Sequence, residues 1–159
     1  MDASGHERMY AQNHGGVYRT EDGGGSWTSI AAGLPGDFGF VAMASPTTAG
    51  TAWVVPIQGE PARLPGGGRL RVHRTQDAGD TWTEQGNGLP DAAFNTVLRD
   101  AACTDSGEPT GLYIGTRDGC VWASADAGES FDLVVDHLPD VLVVRAIELP
   151  ATGAARGQG

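Results

Sequence analysis

The sequence predicts an all-β fold, a partial β-propeller of about three four-stranded blades. Three observations predict it. An acidic, glycine-rich phrase is written three times, as RTEDGGGSW (19–27), RTQDAGDTW (74–82) and ASADAGESF (123–131). A second marker keeps step with it: GLP at 33–35, GLP at 88–90 and HLP at 137–139 each begin 11 residues after Asp22, Asp77 and Asp126. Those aspartates lie 55 and 49 residues apart, the period of a propeller blade. Between the markers the chain holds short β-branched and aromatic runs bounded by Gly, Pro, Asn or Asp, and no amphipathic helix.

The first unit contains RMYAQN (8–13), GVYRT (16–20) and SWTSI (26–30), and it lacks a leading strand. The second contains FGFVAMAS (38–45), TAWVVPI (51–57), RLRVHRT (69–75) and TWTEQ (81–85). The third contains FNTVLRDA (94–101), GLYIGT (111–116), CVWAS (120–124) and SFDLV (130–134). Four strands are the content of one blade. A spare run, VLVVRAIEL (141–149), follows HLP as FGFVAMA follows GLP. The expected organisation is a single domain over 1–150. Blade 1 is 8–30 completed by strand 141–149, blade 2 is 38–85 and blade 3 is 94–135, with 151–159 a disordered tail. The last strand closes a tight ring within the chain, or is swapped in a six-bladed homodimer, or leaves the ring to a partner chain carrying the missing blades.

The repeated phrase reads as a hairpin turn. Glycine supplies the positive φ that a tight turn needs. A short Asp accepts hydrogen bonds from backbone N–H groups in the turn, and the Ser or Thr hydroxyls close the same local network. Trp27, Trp82 and Phe131 then start the return strand and bury a large ring against the blade. The pattern Ser/Thr-x-Asp-x-Gly-x-Ser/Thr-Trp/Phe resembles the Asp-box, or bacterial neuraminidase repeat (BNR). It is carried by Thr20, Asp22, Gly24, Ser26 and Trp27, then Thr75, Asp77, Gly79, Thr81 and Trp82, then Ser124, Asp126, Gly128, Ser130 and Phe131. The resemblance covers nearly the whole chain and implies a sialidase-like propeller, similar to the C-terminal part of a longer bacterial BNR-repeat protein. It also implies that the box lies on the outer rim, away from a catalytic face.

Composition narrows the function. The 159 residues are 40% hydrophobic and 19% charged, as in a globular domain. Net charge is −10, and arginine and histidine supply every basic side chain, with no cluster of them. A phosphate-binding surface needs such a cluster, so nucleic acid and anionic membrane are not expected partners. The N-terminal stretch has no apolar core of a signal peptide, and no run approaches a bilayer span, so a cytoplasmic location is expected. Cys103 and Cys120 read as reduced thiols, and no zinc spacing is present, so neither metal nor cofactor is expected.

Candidate site residues come from the loops and inner strands. Aspartates spread over three blades cannot form a glycosidase carboxyl pair, whose members lie roughly 5–10 Å apart. They also lack the further ligands of an EF-hand. The resemblance implies, for sialidases, three arginines gripping a substrate carboxylate, with bidentate geometry. Arg99, Arg117 and Arg145 fall on or after expected inner strands, facing a central channel, and Asp100 and Asp118 are their expected ion partners. No Arg-Ile-Pro motif is present, and Tyr10, Tyr18 and Tyr113 have no clear Glu partner. His14 falls on a loop of the type that lines a propeller's binding face, and QGEPARLPGGG (58–68) is an irregular insertion on a similar loop. The candidate ligand-binding set is His14, Arg99, Asp100, Arg117 and Arg145, for a carbohydrate or small molecule. The expected function is a non-catalytic binding or scaffold module, with no catalytic residue assigned. The alternative is a sialidase-like exo-glycosidase, residual or completed by a partner.

Overall fold

A computed structural model describes residues 2–59 and 61–149 of the chain. The expected tail at 151–159 lies outside the described residues. Among the described residues eleven strands form three antiparallel sheets, and the one helical piece is a 3-10 turn at Gly66–Gly68. No helix among the described residues is long and apolar enough to cross a membrane.

Blade 1 consists of β1 (Met9–Asn13), β2 (Gly16–Thr20) and β3 (Thr28–Ser29), paired in that order. Blade 2 runs β4 (Gly39–Ala44), β5 (Ala52–Pro56), β6 (Val72–Thr75) and β7 (Thr83–Gln85). Blade 3 runs β8 (Ala102–Thr104), β9 (Leu112–Gly115), β10 (Val121–Ser124) and β11 (Asp132–Val135). Met9 pairs with Thr20 as Ala52 pairs with Thr75 and Leu112 with Ser124, so β1 corresponds to the second strand of a blade. Among the described residues, the innermost strand is the one that blade 1 lacks.

A single sheet cannot bury both its faces, so the core lies between blades. The alternation of β4 shows how. Val41 and Met43 point into the larger cluster, with Trp53, Leu70, Val72, Leu89, Leu112, Ile114 and Phe131. Ala42 points the other way, toward the smaller cluster of Val17, Ile30 and Val54. Both repeated markers serve these interfaces. The Trp82 ring N–H donates to the Ile30 carbonyl of the preceding blade (2.7 Å), and Phe131 joins the cluster shared with blade 2. Leu34 and Leu89, from the two GLP markers, fill the same interfaces from the other side.

Three expectations need correction. Residues 94–101 were expected as the first strand of blade 3, but the strand is Ala102–Thr104. The strand forms only where β9 lies opposite, from Ala102↔Ile114 to Thr104↔Leu112, and the preceding residues turn through an Ala101 N–H to Leu98 carbonyl bond (3.0 Å). Residues 141–149 do not complete blade 1 in this structure. The short connection after β11 carries them past the inner edge of blade 3, where the Val141 N–H bonds the Thr116 carbonyl (3.2 Å) and the Val144 N–H bonds that of Asp100 (2.9 Å). That is the place of the next blade's inner strand, and blade 1 lies at the opposite end of the row. Finally, Trp27 is not buried but 44% exposed. Each turn's ring packs on the blade before it, and among the described residues no blade precedes the first.

Candidate functional site

The third-to-fourth strand turns put all three box aspartates at one end of the blades. Each turn closes on the same bonds. In blade 2 the buried Thr75 hydroxyl donates to Asp77 Oδ1 (2.8 Å) and accepts from the Gly79 N–H (2.7 Å). Asp77 also receives the Thr81 N–H (2.8 Å) and the Thr81 hydroxyl (2.6 Å). Thr20, Asp22 and Ser26 repeat the set in blade 1, and Ser124, Asp126 and Ser130 in blade 3. Bonds to the ionised form favour it. The Thr81 hydroxyl and N–H, then the Thr75 hydroxyl, hold Asp77 down at about 2. The Ser26 N–H and the Thr20 and Ser26 hydroxyls lower Asp22 further. At Asp126 burial pulls upward, and the bonds from Ser130 and Ser124 outweigh it. Carboxylates held ionised and bonded within their own turns are poor proton donors, and they sit on three separate blades.

The second-to-third strand loops lie at the opposite end, because consecutive strands are antiparallel. They share that end with the connections between blades. Two clefts open there. One, of about 630 Å³, is lined by His14, Pro35–Phe38, Pro56–Gly59 and Gly66. His14 stacks on Phe38 (centroids 4.7 Å apart) and meets Phe40 edge-on (5.5 Å), and the Arg63 guanidinium lies over Phe38 at 6.0 Å. The other, of about 500 Å³, runs between Phe40, residues 61–64, Phe94–Thr96, Leu98, Arg117, Asp118 and Asp140. Phe94 is 75% exposed at its rim.

The predicted set is only partly brought together. His14 lines the first cleft and Arg117 the second. Arg117 pairs with Asp140 (3.0 Å), not with the expected Asp118, which accepts from Asn95 (2.7 Å) and from the Thr116 hydroxyl. Arg145 pairs with Asp100 (2.9 Å) on the 141–149 segment, outside both clefts. Arg99 is exposed, with no ion pair among the described residues. The three arginines therefore do not converge on one point as a carboxylate clamp would. Both cysteines are partly buried and free, and burial pushes both thiols up, away from reactive thiolates. Among the described residues no group of three or more His, Cys, Asp or Glu is placed to hold a metal ion.

Sequence reading missed Phe38, Phe40, Phe94 and Arg63. Their signal was present: a phenylalanine follows each GLP marker by a few residues, and Arg63 lies in the 58–68 insertion. It also missed Arg19 and Arg74, each one residue before the turn threonine. Arg19 Nη1 donates to the Ala78 carbonyl (2.6 Å) and Arg74 Nη1 to that of Ala127 (3.3 Å), each reaching into the next blade's turn. Blade 3 has Ala123 at that position.

Among solved structures the chain is similar to YCF48 bound to D1 peptide, at 18% identity and a TM-score of 0.57, over 86% of this chain and 40% of that one. It is also similar to the GH74 xyloglucanase of Xanthomonas campestris, at 20% identity and a TM-score of 0.61, over 83% of this chain and 19% of that one. The GH74 enzyme of Niastella koreensis matches at 18% identity and a TM-score of 0.62, over 87% and 21%. The fold is that of a β-propeller. The chain spans two fifths or less of each of these proteins. No family model matches it, and no curated protein does.

Proposed function

We propose that this chain is a non-catalytic propeller module of the Asp-box (BNR) kind, which binds its ligand across the two clefts at the loop end of the blades. One observation carries the reading. The box carboxylates are spent on their own turns at one end, whereas the other end gathers His14, Phe40, Phe94 and Arg117 around open clefts. Exposed aromatic rings beside arginine and amide groups suit a ligand with flat apolar surface and polar edges. The likeness to a peptide-bound propeller, to a xyloglucanase and to a second GH74 enzyme makes peptide and oligosaccharide the two ligand classes to test.

The hydrolase alternative has its own observation: Asp118 and Asp140 line the same cleft. Each is engaged, however, by Asn95 and Thr116 or by Arg117, where a glycosidase needs one carboxyl free to donate a proton. The test is binding to peptide and oligosaccharide arrays, followed by titration calorimetry on the hits. Phe94→Ala and Arg117→Ala are expected to weaken binding at least tenfold, and Asp22→Asn to leave it unchanged. Turnover of a fluorogenic sialoside or xylogluco-oligosaccharide that is lost in Asp118→Asn would replace this reading with the enzymatic one.

A further inference from the structure

The two ends of the blade row expose complementary halves of one interface. At the blade 1 end, Trp27 lies open, and the inner-strand position beside β1 holds no strand among the described residues. At the blade 3 end, Leu133, Val134, Val135 and Leu138 are exposed, followed by Leu142, Val143, Ile147 and Leu149. Inside the chain the corresponding groups are joined. Trp82, the counterpart of Trp27, bonds the Ile30 carbonyl and packs beside Leu34, the counterpart of Leu138.

We infer that a second copy of this chain covers both ends, each copy donating residues 141–149 as the inner strand of the other's blade 1. The register supports the fit. Residues 141–149 follow HLP as β4 follows GLP, which sets Glu148 at the position of Ala44. Ala44 pairs with Ala52, the counterpart of Met9, so Glu148 falls opposite Met9 of the other copy. The alternation agrees at its C-terminal half: Ala146 is partly covered, as Ala42 is toward the blade before it, and Ile147 stays open where β4 has Met43 facing onward, while Arg145 falls at the place of Val41. The surroundings match as well: the Tyr10 hydroxyl bonds Asp2 (3.0 Å) as that of Tyr113 bonds Asp105 (2.9 Å), so pairing of the donated strand ends at Glu148, just before Asp2, as β8 ends at Thr104 before Asp105.

Two three-bladed chains give six blades, within the usual propeller range of roughly four to eight. The same end-to-end contact is made twice and closes about a two-fold axis. The contact would cover Trp27, the outer face of β11 and the exposed Leu142, Val143, Ile147 and Leu149 in both copies, to be set against the range of about 1,200–2,000 Å² typical of stable interfaces.

The test is the solution mass of the full chain by light scattering at micromolar concentration, alongside two variants. The expected mass is twice 16.4 kDa. Ile147→Asp, at a position 79% exposed and so harmless to the single chain, is expected to halve it with an unchanged circular dichroism spectrum. Met9→Cys with Glu148→Cys, in a chain carrying Cys103→Ser and Cys120→Ser, is expected to form a disulfide between two chains on mild oxidation. A wild-type monomer, or a mixture of aggregates, overturns the inference. So does a dimer that neither forms this cross-link nor responds to Ile147→Asp. If Ile147→Asp fails to fold, the cross-link alone decides.

Discussion

The hydroxyl that opens each turn is the most economical place to perturb this protein. Thr75 is 1% exposed, and its oxygen serves the Asp77 carboxylate and the Gly79 N–H together. Thr75→Val keeps the shape and strands both partners, so a loss of about 1–3 kcal/mol is expected in urea denaturation. Asp77 adds a pH signature. Its folded value of about 2 lies below its ordinary 3.8, so the unfolded chain takes up the proton first as the solution is acidified. Its stabilising share is complete above that ordinary value and is lost as pH falls toward 2. Denaturant midpoints measured between pH 5 and 2 should fall, and fall less in Asp77→Asn. His73 acts at milder pH. Burial pushes its pKa below 6.5, only partly opposed by Glu84, and its Nδ1 is buried without a partner. The unfolded chain therefore binds the proton first below 6.5. From pH 7 to 5 the native protein should lose stability relative to His73→Leu, in which this contribution is absent.

At the scale of elements, blades are held to one another by the turns. Gly79 has φ +99°, and a Cβ there would meet the Ile30 side chain of blade 1 inside contact distance. Gly79→Ala combines a forbidden backbone region with overpacking, and it should cost about 2–4 kcal/mol by thermal denaturation. This device was half legible in the sequence. The Asp, Gly and hydroxyl positions could be read from the repeat because their partners lie within four residues. The arginines at 19 and 74 could not, because their acceptors lie in the next turn, at Ala78 and Ala127. The same limit explains the misplaced first strand of blade 3. Residues 94–101 carry an apolar pattern that serves the inter-blade core through Val97 and Ala101, and pairing with β9 starts only beyond them. Within the clefts, His14 and the 58–68 insertion were readable as loops, whereas the convergence of Phe40, Phe94 and Arg117 depends on how blades 2 and 3 sit side by side.

For the whole molecule the decisive asymmetry is between the two inter-blade cores. Among the described residues, fourteen buried hydrophobic residues form the cluster that joins blades 2 and 3, against Val17, Ile30 and Val54 in the cluster between blades 1 and 2. In a repeat array, stability is nearly the sum of unit and nearest-neighbour terms, so the blade with the smaller interface opens at lower free energy. Blade 1 also has a short outer strand of two residues and, among the described residues, no strand at the inner position. In the Ile147→Asp variant, where no second copy is expected to cover that position, amides of β1–β3 should exchange with deuterium well before those of β4–β6 and β9. In the native protein at micromolar concentration, a donated strand would close that gap. Protection of β1 should then rise toward that of β5, its counterpart in blade 2, and fall again on dilution. Equal exchange in the two proteins, at every concentration, would mean that blade 1 draws its stability from its own turn and its contact with β4, with no contribution from a second chain.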